Sequence, residues 1–332
     1  MQEAGLPRKV RVSIGSAIVL GLTEGRLDAE PTTVYMLTYK RGRCSASCAF
    51  CPQSARSEAR ADLLSRVVWP AFPTRHVLPR VAQAFEQARV RRVCIQALNY
   101  PRVQDDVIRL AERIRTLSRI PISVSCQPLE RGDMHRLVQA GVERVSIALD
   151  AVTGELFDEV KGASTGGPYT WEGHLEALKE AVGIFGGNHV TTHLIAGLGE
   201  KEEDFVATIQ RCVDLGVYPA VFAFTPIAGT VMANCSQPPV GYYRRLQLAR
   251  HLIAHDIRRY EDMRFKEGSL THFGLPKEEL RTILRTGEPF RTSGCPGCNR
   301  PYYNERPGGP IYNFPRQPAS SEIAEIEKLL GL

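Results

Sequence analysis

Three cysteines stand within eight residues, Cys44-Ser-Ala-Ser-Cys48-Ala-Phe-Cys51. Thiolates are soft ligands, and three of them on one short loop can wrap one face of an iron–sulfur cubane. No further cysteine lies close enough on the loop to supply a fourth ligand. One iron is then left open, and an open position separates metal sites that do chemistry from those that only hold structure. A zinc site completed from elsewhere is the alternative. Zinc loops, however, favour paired Cys-x2-Cys spacings backed by a second Cys or His pair.

The other six are Cys94, Cys126, Cys212, Cys235, Cys295 and Cys298. A free Cys is often a small core hydrophobe. Cys94 and Cys126 nevertheless fall on consecutive expected strands, where both can point into a barrel lumen about 4.8 Å apart. Cys295-Pro-Gly-Cys298 is a two-thiol clamp for zinc or an iron–sulfur cluster, with Pro296 and Gly297 suiting the tight turn. A zinc ribbon would need a second ligand pair in the tail, where His272 is the only nearby candidate. Cys212 sits in an expected amphipathic helix and Cys235 in a polar loop, and both read as structural. His193 is the one histidine placed for a lumen, in a core or hydrogen-bonded role.

The elements that must position these residues alternate. Strands are expected over 33–39, 92–97, 120–126, 144–149, 190–196, 220–225 and 263–265, and helices over 77–89, 105–117, 134–140, 171–185, 202–215 and 243–255. Strands separated by helices imply parallel βαβ units. Six or seven units suit an α/β fold of the partial (β/α)6 TIM-barrel type, with a doubly wound open sheet as the alternative. In a barrel, loops at the C-terminal ends of the strands carry the site, and the Cys44–Cys51 loop follows the first strong strand. Residues 1–30 read as a lead-in, 31–270 as the barrel and 271–332 as an extension. Within that extension, 276–285 and 322–330 read as helices. Residues 287–318 hold seven Pro and five Gly without periodicity, yet carry Tyr302, Tyr303 and Tyr312, which disordered tails rarely do.

The chain has 332 residues, 43% hydrophobic and 23% charged, so it can bury a substantial core. A net charge of +6 without a Lys/Arg block argues for neither a nucleic-acid nor a membrane partner. No apolar run reaches the roughly 18 residues of a membrane span. The stretch 10–22 lacks the features of a signal peptide, so a cytoplasmic location is expected. In a reducing compartment, nine Cys suggest metal rather than disulfides.

At the Cys-x3-Cys-x2-Cys loop, with Phe50 before the last Cys, the chain resembles the radical S-adenosylmethionine (SAM) superfamily. The resemblance implies a [4Fe–4S] cluster on Cys44, Cys48 and Cys51. Its open iron takes the amino and carboxylate groups of SAM, and reductive cleavage yields a 5′-deoxyadenosyl radical that abstracts hydrogen from an unactivated carbon. The resemblance extends to Val145-Ser-Ile-Ala-Leu-Asp150, Leu194-Ile-Ala-Gly197-Leu-Gly199-Glu200 and Phe224-Thr-Pro226 as segments near the nucleoside. Gln96-Ala-Leu-Asn99 stands where the family has Gly-Gly-Glu. Phe50, Gln96, Asn99, Asp150, Gly197, Gly199, Glu200 and Pro226 are therefore the implied cofactor-binding residues.

Biotin synthase also carries Cys on the second and third strands, where they hold a sulfur-donating cluster. Its third Cys would fall at Thr191 here, and its Arg has no counterpart in Lys266-Glu-Gly268-Ser. With Cys295-Pro-Gly-Cys298 and the Tyr-rich segment after it, the chain is most similar to the biotin-synthase-like proteins of the two-protein lipoyl synthase system. That implies a second iron–sulfur cluster on Cys94, Cys126, Cys295 and Cys298, and sulfur insertion into an octanoylated lipoyl-carrier protein or peptide. It also implies a paralogous radical SAM partner and a ferredoxin- or flavodoxin-type reductant. Biotin synthase itself, another radical SAM enzyme with a structural tail metal, and a non-catalytic iron–sulfur carrier or sensor are the alternatives.

Overall fold

The computed structural model describes residues 5–305 and 308–332. Six strands run parallel, Thr33–Thr38, Arg92–Gln96, Ile122–Cys126, Val142–Ile147, Val190–Ala196 and Val217–Ala223. They lie side by side in chain order, and are called the first to sixth parallel strands below. The first is buried at all of its positions, as expected of an uncharged β-branched and aromatic strand covered on both faces.

Helices cover the outer face. In Val103–Leu117 the buried residues Val103, Val107, Leu110, Ala111 and Ile114 recur every three or four positions, which is the stripe of an amphipathic helix. They join Val93, Ile95, Ile122 and Val124 of the strands in one apolar core between sheet and helices.

The inner face curls around a lumen. Alternate residues of all six strands line one cavity of about 240 Å³, among them Tyr35, Cys94, Ser123, Ser146, His193 and Phe222. A flat sheet could not bring its first and sixth parallel strands to the same cavity. The fold is therefore α/β with a partial barrel. Among the described residues no strand pairing closes it, since the sheet ends at Val217–Ala223 on one side and Ala71–Pro73 on the other.

The tail fills the seam. Ser293 Oγ accepts the Val221 N–H of the sixth strand at 3.0 Å, while the Arg300 N–H reaches Tyr35 Oη of the first strand at 3.0 Å. Asn299 Oδ1 accepts the Thr32 N–H at 2.9 Å. An edge strand left with free N–H groups is a liability that proteins cover, and here the 291–304 segment covers it.

Two elements differ from the sequence pattern. Lys9–Val12, inside the lead-in, is a strand that pairs antiparallel with the first parallel strand and with Ala71–Pro73. The expected last strand is not a seventh barrel strand. Among the described residues, Arg264–Lys266 pairs only with Ser269–His272, in a separate hairpin. Gly268, at φ +80°, turns the chain straight back, and the strand's Arg264 and Lys266 are exposed.

Candidate active site

The Cys44–Cys51 loop leaves the first strand at the carboxyl end of the barrel. Neighbouring loops pin it there. The Asn99 N–H donates to Cys44 Sγ at 3.1 Å, while Asn99 O accepts from Ser45 N at 2.7 Å and the Ala49 N–H reaches Val160 O at 2.8 Å. Cys48, Phe50 and Cys51 line the lumen beside Asp150 and Phe224. Burial pushes the Cys48 thiol up to about 12, with Lys161 acting in the other direction. Cys51 is also raised, first by burial and then by Cys48. Such thiols stay protonated until a metal displaces the protons. Among the described residues no three His, Cys, Asp or Glu side chains converge on one ion. In a cubane each thiolate binds a different iron, so ligands stand around a cluster and need not meet at a point. Three free thiols on one loop fit that group.

Asp150 ends the fourth strand region with a left-handed backbone, φ +67°. Its Oδ2 accepts from Lys161 Nζ at 2.7 Å, and Lys161 also donates to Ala148 O. The Lys161 side chain has no exposed surface, and its ammonium stands 5.7 Å from the ring centres of both Phe157 and Tyr169. Nothing in the sequence pattern marks Lys161, because its importance comes from the three-dimensional approach to Asp150. Tyr169, also unmarked, accepts a hydrogen bond from Asn99 Nδ2 at 2.6 Å.

Gln96 lines the lumen as well. The other implied cofactor-binding residues lie off it. Glu200 folds its carboxylate back to accept the N–H groups of Gly197, Leu198 and Gly199 at 2.7, 2.9 and 3.1 Å, and it also takes the Tyr242 hydroxyl. Gly197 and Gly199 have φ of +99° and +126°, which lets the three amides face one carboxylate. Pro226 is half-buried in the loop after the sixth strand.

At the middle of the lumen, Tyr35, Cys94, Ser123 and Arg144 stand abreast on the first four parallel strands. The tail brings Cys295 and Cys298 to them. Ser123 Oγ is 3.4 Å from Cys295 Sγ, and Tyr35 Oη is 3.1 Å from Cys298 Sγ. Burial raises the Cys94 thiol, with Cys295 and Cys298 adding to the rise. Burial likewise raises Cys295, which the Ser123 hydrogen bond opposes.

Cys126 is a correction to the expected four-thiol set. Strand side chains alternate, so an odd step of three places Cys126 on the opposite face from Ser123. It packs with Ile122 and Val124 in the core beneath the helices. Burial alone raises its thiol, to about 12. The lumen thus gathers three of the four.

Cys212 is buried in the helix Glu202–Asp214 and Cys235 is exposed. His193 packs its ring 4.7 Å from that of Phe222, with Nε2 3.3 Å from Ser146 Oγ. Sequence reasoning did not find Arg92, Arg300 or Tyr303, which also line the lumen. Arg300 and Tyr303 stand two and five positions after Cys298, and that proximity was the available signal.

The sequence profile of the Radical SAM superfamily matches residues 40–212, more than half of the chain. Among curated proteins, a biotin synthase of Persephonella marina is 24% identical over 207 residues, 61% of this chain and 57% of that protein. One from Aquifex aeolicus is 25% identical over 205 residues, 60% of this chain and 57% of the relative. The chain therefore matches somewhat over half the length of these relatives. Methylornithine synthase (PylB) superposes with a TM-score of 0.53 at 14% identity, covering 73% of this chain and 67% of that one. HydG, a maturase of the [FeFe]-hydrogenase, gives 0.54 at 13%, covering 82% and 66%. Both likenesses concern the fold alone. Joined to a three-cysteine loop at the mouth of a six-stranded partial barrel, the profile match settles the family: this chain belongs to the radical SAM superfamily.

Proposed function

We propose that this protein is a radical SAM sulfur-insertion enzyme, one component of a two-protein lipoyl synthase acting on a protein-bound octanoyl chain. The observation that carries the reading is the second set of thiols, Cys94, Cys295 and Cys298, lining the same lumen as Cys48 and Cys51. When bound, the cluster of the first loop and SAM supply a radical that abstracts hydrogen from an aliphatic carbon. The second set would hold the cluster from which sulfur comes.

The chain's own residues do the rest. Phe50, Ile195, Phe222 and Phe224 give the lumen apolar walls, suited to an alkyl chain. The Arg300 guanidinium lies over the Phe222 ring, 3.7 Å from its centre, and with Tyr303 it plugs the seam against water. Exclusion of solvent protects reactive intermediates from side reactions. The octanoylated carrier, a paralogous radical SAM partner and a ferredoxin- or flavodoxin-type reductant complete this reading.

Biotin synthase is the second reading, favoured by the curated relatives. Against it, the lumen residue of the fifth strand where a further Cys would fall is Thr191. Mass spectrometry after anaerobic incubation with SAM and reductant separates the two. Sulfur added to an octanoyl-carrier peptide, alone or with a paralogous partner, supports the lipoyl reading. Sulfur added only to the sulfur-free biotin precursor supports the other.

A further inference from the structure

A second cavity lies at the seam, outside the lumen. Its volume is about 720 Å³, against about 240 Å³ for the lumen. The lead-in before the first parallel strand, the hairpin of Leu63–Leu64 with Val67–Val68 and the tail after Arg300 wall it. Tyr35, Arg300 and Tyr303 line both cavities, so a single layer of side chains parts them. The outer rim reaches solvent at Arg26 and Asp28, both exposed, where the Tyr302 hydroxyl donates to Asp28.

Two donors in this wall lack acceptors. Trp69 is wholly buried and lines the cavity, yet its Nε1–H meets no acceptor among the described residues, and neither does Arg300 Nη2. A buried donor left unpaired is costly, so a ligand oxygen placed between the two relieves both. Ile14, Leu27, Val67, Val68 and Ile311 make much of the remaining wall apolar. Apolar walls with a few placed polar groups are the usual make-up of a small-ligand site, and this set suits a long alkyl chain carrying one carbonyl.

We propose that this cavity receives the octanoyl-lysine arm of the carrier, with the amide oxygen accepting from Trp69 Nε1–H and the alkyl end passing into the lumen. The inference rests on the sulfur-insertion reading above and names the substrate's way in. Room argues for a separate entrance. Sites for drug-sized ligands measure about 300–1,000 Å³, and the smaller lumen must already take SAM on that reading. Passage needs one side chain of the partition to move. Arg300 is the least held, since its guanidinium hydrogen-bonds only Ser293 O, at 3.4 Å, among the described residues. Its backbone stays fixed through the N–H to Tyr35 Oη. Swinging the guanidinium onto the amide oxygen opens the partition and pairs Nη2 in one movement.

The test uses the cluster-loaded full-length chain, alone and with a paralogous partner. The probe is a carrier peptide whose lysine bears an octanoyl group with a photoreactive diazirine near the carbonyl. After irradiation, mass spectrometry should find the label within residues 13–31, 66–69 or 300–303, and label on none of these segments would overturn the entrance. Trp69→Phe keeps an aromatic ring and removes the N–H. It should weaken binding of the octanoyl peptide about three- to tenfold and leave binding of an N-octyl-lysine peptide, which has no carbonyl, unchanged. Its thermal stability should not fall, because that N–H has no protein partner to lose. Equal loss for both peptides, or no loss for either, would refute the carbonyl contact. Ala29→Trp, which fills the cavity from its loop, should weaken binding of the octanoyl peptide and leave peptide-free SAM cleavage at the wild-type rate. Undiminished binding by that variant also overturns the proposal. A peptide that receives sulfur but is labelled elsewhere removes this inference alone. One that neither binds nor receives sulfur overturns the sulfur-insertion reading itself.

Discussion

The hydroxyl of Tyr35 lies 3.1 Å from the thiol of Cys298, 263 positions further along the chain. The same oxygen accepts the Arg300 N–H at 3.0 Å, so one side chain of the first strand anchors the tail at two points. Tyr35→Phe leaves that buried N–H without an acceptor, at a cost of about 1–3 kcal/mol. Urea unfolding should show the loss. Limited proteolysis should cut near residues 295–305 sooner in the variant than in wild type, and equal cleavage rates would contradict the anchoring role.

The buried ion pair at the mouth makes a second prediction. Lys161→Ala strands the Asp150 carboxylate, which Lys161 Nζ meets at 2.7 Å. Breaking a buried pair from one side costs about 3–5 kcal/mol. Replacing both together, Asp150→Asn with Lys161→Met, should cost clearly less than Lys161→Ala. The check is a double-mutant cycle by urea unfolding, and an additive result would mean the two do not interact.

A third prediction concerns pH. His174 is buried, with its ring 4.9 Å from that of Phe157. Burial first, then Lys161, pushes its pKa down to about 3. The folded state thus takes up the proton less readily than the unfolded chain, whose His titrates near 6.5. The stability this gives is complete above about pH 6.5 and falls as pH drops towards 3, by up to about 1.4 kcal/mol per unit. His174→Gln should show a shallower decline in unfolding free energy between pH 7 and 5. Equal slopes would place the pH dependence elsewhere.

Much of this architecture was legible beforehand. The helix Trp171–Phe185 and the strand Val190–Ala196 match their periodic patterns end to end, because long amphipathic or β-branched runs carry their own signal. The place of the three-cysteine loop, after the first parallel strand at the mouth of the lumen, was legible from its position in the strand–helix alternation. Facing was not. Ile122, Val124 and Cys126 alternate with Ser123 and Ser125, and in a barrel buried on both sides polarity does not tell lumen from outer core. Only the pairing of Cys94 with Ser123 fixed which set points inward. The strand Lys9–Val12 is short and half charged, and forms because Thr33–Thr38 and Ala71–Pro73 offer it edges.

For the first cysteine loop, replacing any one of Cys44, Cys48 or Cys51 by Ala should abolish reductive SAM cleavage, since two thiolates cannot hold the cluster with one open iron. Chromatography for 5′-deoxyadenosine is the check. A variant producing it at the wild-type rate would remove the loop from the site.

The claim that one lumen joins radical formation to sulfur donation is tested most directly by isotopic labelling. The second site is loaded with heavy-isotope sulfide, and the protein is incubated anaerobically with SAM, reductant, octanoyl-carrier peptide and the paralogous partner. Mass spectrometry should find the heavy sulfur in the peptide, and find none when Cys295 and Cys298 are both replaced by Ala. Sulfur of natural isotopic mass in the product, or equal insertion by that double variant, would contradict the account.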